Sequence, residues 1–178
     1  MKSYMTLDDV NLNGKNVLLR GDLNVPTQDG RITDMNRIER LLPTLKELLS
    51  KGAAITLISH FGRPKGDPDL KYSLKPIFEV LSAELPGIKV RFEDNYRDVS
   101  LPKMGEILLL ENLRFDVREE QNDMSFAREL SRFGDIYVND SFSASHRAHA
   151  SIEAITHLLP AYAGRLMEEE LTALEKTM

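Results

Sequence analysis

The chain has 178 residues, no cysteine, and 23 basic against 28 acidic side chains, a net charge of −5. Without cysteine there are no disulfides, thiolate metal sites or cysteine nucleophiles, and an acidic chain with no Lys/Arg-rich run is not an obvious nucleic-acid binder. MKSYMTLDDV at the N-terminus carries no apolar signal core, and no apolar run approaches the ~20 residues a membrane span needs, so a cytoplasmic protein with no membrane partner is expected.

Asn16 to Arg20 is a short apolar run after a Gly14 turn and reads as a buried strand. A loop rich in Asp, Asn, Pro and Gly follows, and Thr33 or Asp34 is placed to cap a helix. From Met35 the apolar residues Ile38, Leu41, Leu42, Leu45, Leu48 and Leu49 fall at helical spacing. Lys51-Gly52 is the stop. Residues 53–58 form a second strand, and Ser73 opens a helix to about Leu85 with Pro76 in its first turn. Strands are predicted at 88–92 and 106–110, a helix at 123–133, a strand at 135–138, and helices at 151–159 and 167–176. Alternating strands and helices predict an α/β fold: a doubly wound, Rossmann-like, mostly parallel sheet with helices on both faces, in three layers. With no repeat, low-complexity tract or linker, residues 1–178 read as one domain.

In such sheets ligands bind beyond the carboxyl ends of the strands. Four strands deliver polar clusters there: Arg20, Asp22 and Asn24; Ser59-His60-Phe61-Gly62-Arg63-Pro64; Glu111-Asn112-Leu113-Arg114-Phe115; and Asn139 through His149, which includes His146 and Arg147. Arginine is the residue type suited to phosphate, because its planar fork makes paired charge-assisted bonds and stays charged. Any one of these arginines alone reads as a surface ion pair; their convergence in an acidic chain points to an anion site. Other readings attach to single features. Arg20-Gly21-Asp22 matches an adhesion tripeptide, which a cytoplasmic protein has no use for. His146 and His149 have the spacing of a weak metal pair, but no third ligand is evident and no metal is expected. Asp22 stands where an aspartyl-phosphate nucleophile would follow a first strand, with Asn24 in place of a second Asp.

The segments RGDLNVP, ITDMNRIERLLPTLK, SHFGRP, LLLENLRF, NDSFSASHRAHAS and LPAYAGRLMEEEL, in this order, resemble the phosphoglycerate kinase family across nearly the whole chain. The resemblance is to the family's N-terminal, 3-phosphoglycerate-binding lobe. It implies reversible phosphoryl transfer between 1,3-bisphosphoglycerate and ADP, giving 3-phosphoglycerate and ATP in glycolysis. The Mg-ATP or Mg-ADP would be held by a C-terminal nucleotide-binding domain that this sequence does not show, so the chain is expected to bind 3-phosphoglycerate without turnover or a cofactor of its own. The intact family member is expected to be a monomer.

Carried over by motif, the resemblance implies that Asp22 and Asn24 bond the substrate's hydroxyl region. Arg37 would face the reacting carboxyl group and act in catalysis. His60, Arg63, Arg114 and Arg147 would hold the substrate, the arginines through its phosphate. Arg20, His146 and His149 would complete the basic patch. Gly21, Phe61, Ser143 and Ser145 depart from the family's usual residues and bear on loop geometry; Gly21 is expected to loosen the end of the first strand. A stand-alone binder of phosphorylated acids and an aspartyl-phosphate phosphatase using Asp22 are the alternatives.

Overall fold

The computed structural model describes residues 2–178. Six strands form one sheet in the order β5-β6-β4-β1-β7-β8, with every pairing parallel: β1 (Asn16–Arg20), β4 (Ala54–Ile58), β5 (Val90–Glu93), β6 (Ile107–Leu110), β7 (Ile136–Asn139) and β8 (Ala161–Ala163). A two-stranded antiparallel hairpin, β2 (Thr27–Gln28) and β3 (Arg31–Ile32), lies in the loop after β1. The helices are α1 (Asn36–Ser50), α2 (Lys75–Glu84), α3 (Met124–Ser131) and α4 (Arg165–Thr177).

The central strands are buried on both faces, as a parallel sheet requires. Val17, Leu19, Ile55, Leu57, Ile107 and Leu109 face Ile38, Leu41, Leu45 and Leu48 of α1 and Ile77 and Leu81 of α2. Leu18, Ile58, Leu108, Leu110 and Tyr137 face Phe126, Ala127 and Leu130 of α3. The three-layer, doubly wound architecture expected from the sequence is therefore present. Its strand order reverses at β1, flanked by β4 and β7, so the loops after β1, β4 and β7 open into one crevice.

Several local expectations need correction. Neither Thr33 nor Asp34 caps α1; the N-cap is Met35, without a side-chain bond, and Asp34 instead closes a turn by accepting from Asn36 N at 2.8 Å. Ser73 is not the cap of α2, which starts after Leu74. Two side chains divide the capping between them. Ser73 Oγ accepts from Lys75 N, while the Glu111 carboxylate reaches across to accept from Leu74 N. The helix expected over 151–159 is only a 3-10 turn, Ala154–His157. Here the chain must turn sharply into β8, which sequence patterning misses because the three residues after Pro160 are too few to show a period. Gly21 does not leave β1 loose. Its N–H donates to Ile58 O at 3.0 Å, and the methyl groups of Leu41 and Leu57 fill the space where a Cβ would lie.

Candidate functional site

Beyond the carboxyl ends of the strands lies a cleft of about 280 Å³. Asn24, Arg37, His60, Gly62, Arg63, Arg114, Ser143, Ala144, His146 and Arg147 line it. Four arginines, two histidines and no acidic side chain thus surround one space in an acidic chain.

Each cation is presented differently. Arg63, from the loop after β4, and Arg147, from the loop after β7, are exposed at the rim. Arg114 is buried in a 3-10 turn after β6, where Nη1 donates to Gly62 O at 3.0 Å. Its Nε has no hydrogen-bond partner among the described residues; the Glu120 carboxylate lies 3.5 Å away. Burial and the neighbouring arginines lower its pKa, but a guanidinium remains charged at neutral pH.

Asn112 fixes the relation between two of these loops. Its Oδ1 accepts from Phe61 N and Arg114 N, and its Nδ2 donates to Phe61 O at 2.7 Å and Tyr72 O at 2.9 Å. One side chain thereby braces SHFGRP against ENLRF. Gly62, at φ +62°, leaves room for the Tyr72 ring, which a Cβ would strike. Phe61 is buried edge-on to Tyr72.

Arg37, one residue into α1, is half-exposed. Its Nη1 donates to Asp22 Oδ1 at 3.1 Å and to Asn24 O at 2.7 Å. Asp22 does not line the cleft; it stands in the wall between it and a neighbouring hollow edged by Arg40 and Glu170. Its carboxylate also accepts from Asn24 N and from Ser143 Oγ at 2.7 Å. Asn24 Oδ1 accepts from Gly62 N, which leaves its amide N–H groups for the cleft.

Arg20 and His149 lie beneath the cleft. Arg20 is fully buried: Nε donates to Ser151 Oγ at 3.0 Å, Nη1 to Gly21 O at 2.9 Å and Nη2 to His60 Nδ1 at 2.8 Å. Ser151 is held in turn by Glu119, through Ser151 N at 2.8 Å and Oγ at 2.5 Å. Burial, then Arg20 and Arg114, lower the His60 pKa to about 2, and burial lowers His149 to about 4. Both rings are neutral at pH 7. Ser143, Ser151 and Glu119 were missed as supporting residues, because nothing in their local pattern marks which distant side chain they meet.

A family model described as "Phosphoglycerate kinase" matches residues 7–178. The chain belongs to the phosphoglycerate kinase family. Relatives named phosphoglycerate kinase include that of Rhodospirillum centenum, 53% identical over 182 residues, and that of Methylorubrum extorquens, 55% identical over 183; the alignments cover 99% of this chain and 46% of each relative. Among solved structures, phosphoglycerate kinase from Coxiella burnetii superposes with a TM-score of 0.90 at 34% identity, covering 98% of this chain and 45% of that one. The enzyme from Pyrococcus horikoshii OT3 gives 0.84 at 31% identity, with 97% and 45% covered. The chain therefore spans about half the length of the phosphoglycerate kinases it matches, and corresponds to their N-terminal domain.

Proposed function

We propose that this chain is the substrate-binding half of a phosphoglycerate kinase, and that the arginine-lined cleft takes 3-phosphoglycerate or 1,3-bisphosphoglycerate. One observation carries the reading: four arginines converge on a space without a carboxylate. Arg63, Arg114 and Arg147 hold the phosphate, where their forks make charge-assisted bonds. Asn24 and His60 donate to the glyceric acid portion, and Asp22 orients Arg37 beside the reacting carboxyl group.

In the ATP-consuming direction the nucleophile is a carboxylate, already ionised at pH 7. No general base is required, which agrees with a cleft in which His60 is held neutral and whose flanking Asp22 carboxylate already accepts three hydrogen bonds. What these residues contribute is position and charge neutralisation. Arg37 is the residue proposed to stabilise the transferring phosphoryl group. The cleft does not suit the magnesium of a nucleotide, because its lining offers no carboxylate. The nucleotide and its metal are accordingly assigned to the part of the family's architecture that this chain does not span, and the chain alone is expected not to turn over. An aspartyl-phosphate role for Asp22 is disfavoured because its two oxygens already accept three hydrogen bonds.

Calorimetric titration with 3-phosphoglycerate, beside an Arg63→Ala control, tests the reading. Saturable binding that the control loses supports it. Equal affinity for unrelated phosphorylated acids points to a general binding module. No binding by the folded chain overturns the view that the cleft is complete within this half.

A further inference from the structure

Arg20 is the most deeply buried cation of the site, yet it does not line the cleft. Among the described residues, its one hydrogen bond to a cleft-lining side chain is to His60. A guanidinium has only donors, so at 2.8 Å from Arg20 Nη2 the His60 Nδ1 must be the acceptor. A ring that accepts at Nδ1 carries its proton at Nε2. An imidazolium would set N–H against N–H and cation against cation at that distance. Nε2 has no partner among the described residues, and His60 is part of the cleft wall.

The support behind Arg20 is equally directional. Nε is spent on Ser151 Oγ and Nη1 on Gly21 O, which leaves Nη2 aimed at the ring. Ser151 Oγ can accept from Arg20 because it donates its own proton to Glu119. Tyr137 Oη donates to Ser151 O at 2.7 Å and pins the same residue from β7. Glu119, with no exposed surface, places a carboxylate one hydroxyl away from the buried guanidinium. Donation runs outward from Arg20 along both arms, through Ser151 to Glu119 on one side and to His60 on the other, and each donor faces an acceptor.

We propose that Arg20 is a positioning residue that holds His60 as the neutral Nε2–H tautomer, so that His60 offers the bound anion a proton donor of fixed direction, and that Ser151 and Glu119 hold Arg20 in place for this. That His60 meets a substrate rests on the function proposed above; the tautomer assignment does not. The charged and titratable groups around His60 are Arg20 from β1, Arg114 from the turn after β6, and His149 and Arg147 from the loop after β7. The last three, like the first, oppose a charge on the ring. The consequence for binding is specific: affinity for an anion should not gain from protonation of His60 as pH falls through the ordinary histidine range.

The test is nitrogen-15 NMR of the histidine rings in the whole chain. The expected His60 pattern is an unprotonated, downfield Nδ1 and a protonated, upfield Nε2, unchanged from about pH 5 to 8, with a scalar coupling across the hydrogen bond to the Arg20 guanidinium. A protonated Nδ1 or an imidazolium pattern at neutral pH overturns the proposal. So does the Nε2–H pattern without that coupling. These readings need no variant, so they stand even where Arg20→Met fails to fold. Where it folds, Arg20→Met should give mixed tautomers and a titrating His60, and its affinity for inorganic phosphate should rise as pH falls; an unchanged ring pattern there overturns the role of Arg20. Titration with 3-phosphoglycerate separates the two claims: no binding with the His60 pattern intact sinks the substrate reading and leaves the tautomer standing.

Discussion

Asp22 and Arg37 meet at 3.1 Å in the wall of the cleft, the carboxylate at the end of β1 and the guanidinium at the start of α1. Asp22 bonds Arg37 and does not line the cleft, so its proposed role is to orient Arg37 rather than to touch ligand. In Asp22→Asn the amide oxygen still accepts from Arg37, and the Ser143 hydroxyl can reverse to accept from the amide nitrogen. Asp22→Ala removes every acceptor and leaves Arg37 held by Asn24 O alone. We expect the Ala variant to weaken 3-phosphoglycerate binding by about tenfold or more, roughly 1.4 kcal/mol, and the Asn variant by clearly less. Calorimetry on both decides it; equal losses would mean that Asp22 contacts the ligand directly.

Arg114 is the buried member of the three arginines proposed to hold the phosphate. Truncating it removes a desolvated charge opposite the phosphate, so Arg114→Ala should cost about 2–5 kcal/mol of binding. Arg63 and Arg147, at the exposed rim, are more screened by salt and should each cost less. Titrations at two ionic strengths check the ranking: the rim variants should narrow the salt dependence, and the buried one should mainly lower affinity.

The two buried histidines make stability depend on pH. In the fold His60 is lowered to about 2 and His149 to about 4, whereas both titrate near 6.5 in the unfolded chain. Below about pH 6.5 the unfolded state binds protons that the native state refuses, so stability falls as pH falls, by up to about 1.4 kcal/mol per pH unit for a histidine. The loss from His149 levels off near pH 4, and that from His60 continues toward pH 2. Glu119 and Asp140, whose pKa values burial raises, act in the opposite sense, so the comparison is made against a variant. Urea denaturation of His60→Gln between about pH 5 and 7 should show a shallower slope, by about a quarter of a proton at pH 7 rising to about one proton at pH 5. An unchanged slope would place the His60 pKa in the fold near its ordinary value.

Glu111 ties α2 to the end of β6. Its carboxylate accepts from Ser73 Oγ at 2.6 Å, Leu74 N at 2.8 Å and Asn112 N at 2.8 Å. Glu111→Ala leaves these three donors buried without a partner and should destabilise the chain by about 3 kcal/mol or more, with Glu111→Gln milder because one acceptor remains. Chemical denaturation reads both values; an Ala variant within about 1 kcal/mol of the parent would show that water replaces the carboxylate.

Gly21 and Leu41 form a coupled pair. A Cβ at Gly21 would lie 2.9 Å from Leu41 Cδ2 and 3.0 Å from Leu57 Cδ1. Gly21→Val should therefore cost about 1–3 kcal/mol by overpacking. Added to Leu41→Ala it should restore part of the lost stability, because the new methyl groups occupy the vacated space. Additive losses in the double-mutant cycle would disprove the packing account.

Most of the element order, the buried strands and the end of the sheet where the loop cations gather were readable from the sequence alone; the β2-β3 hairpin and β8 were not. Burial of a parallel sheet forces continuous apolar runs such as Ile107 to Leu110, and an amphipathic helix forces the leucine spacing of α1. The loop cations followed from their positions after those strands, and the family from the motifs around them. Which cation lines the cleft was decided only in three dimensions. Arg20 and Arg63 are the same residue type in similar sequence settings, each close to the end of a strand. Arg20 turns inward to Ser151 and His60, while Arg63 stays at the rim. The difference is set by Ser151 and Glu119, far along the chain from Arg20, and no local pattern records contacts at that separation. Helix caps failed for the same reason: the Leu74 N–H is met by Glu111 from a distant strand end rather than by its neighbour Ser73. Local spacing determines which elements form, because periodicity and turn chemistry act over a few residues. The direction of a buried polar side chain depends on which partners the folded sheet brings within hydrogen-bonding distance.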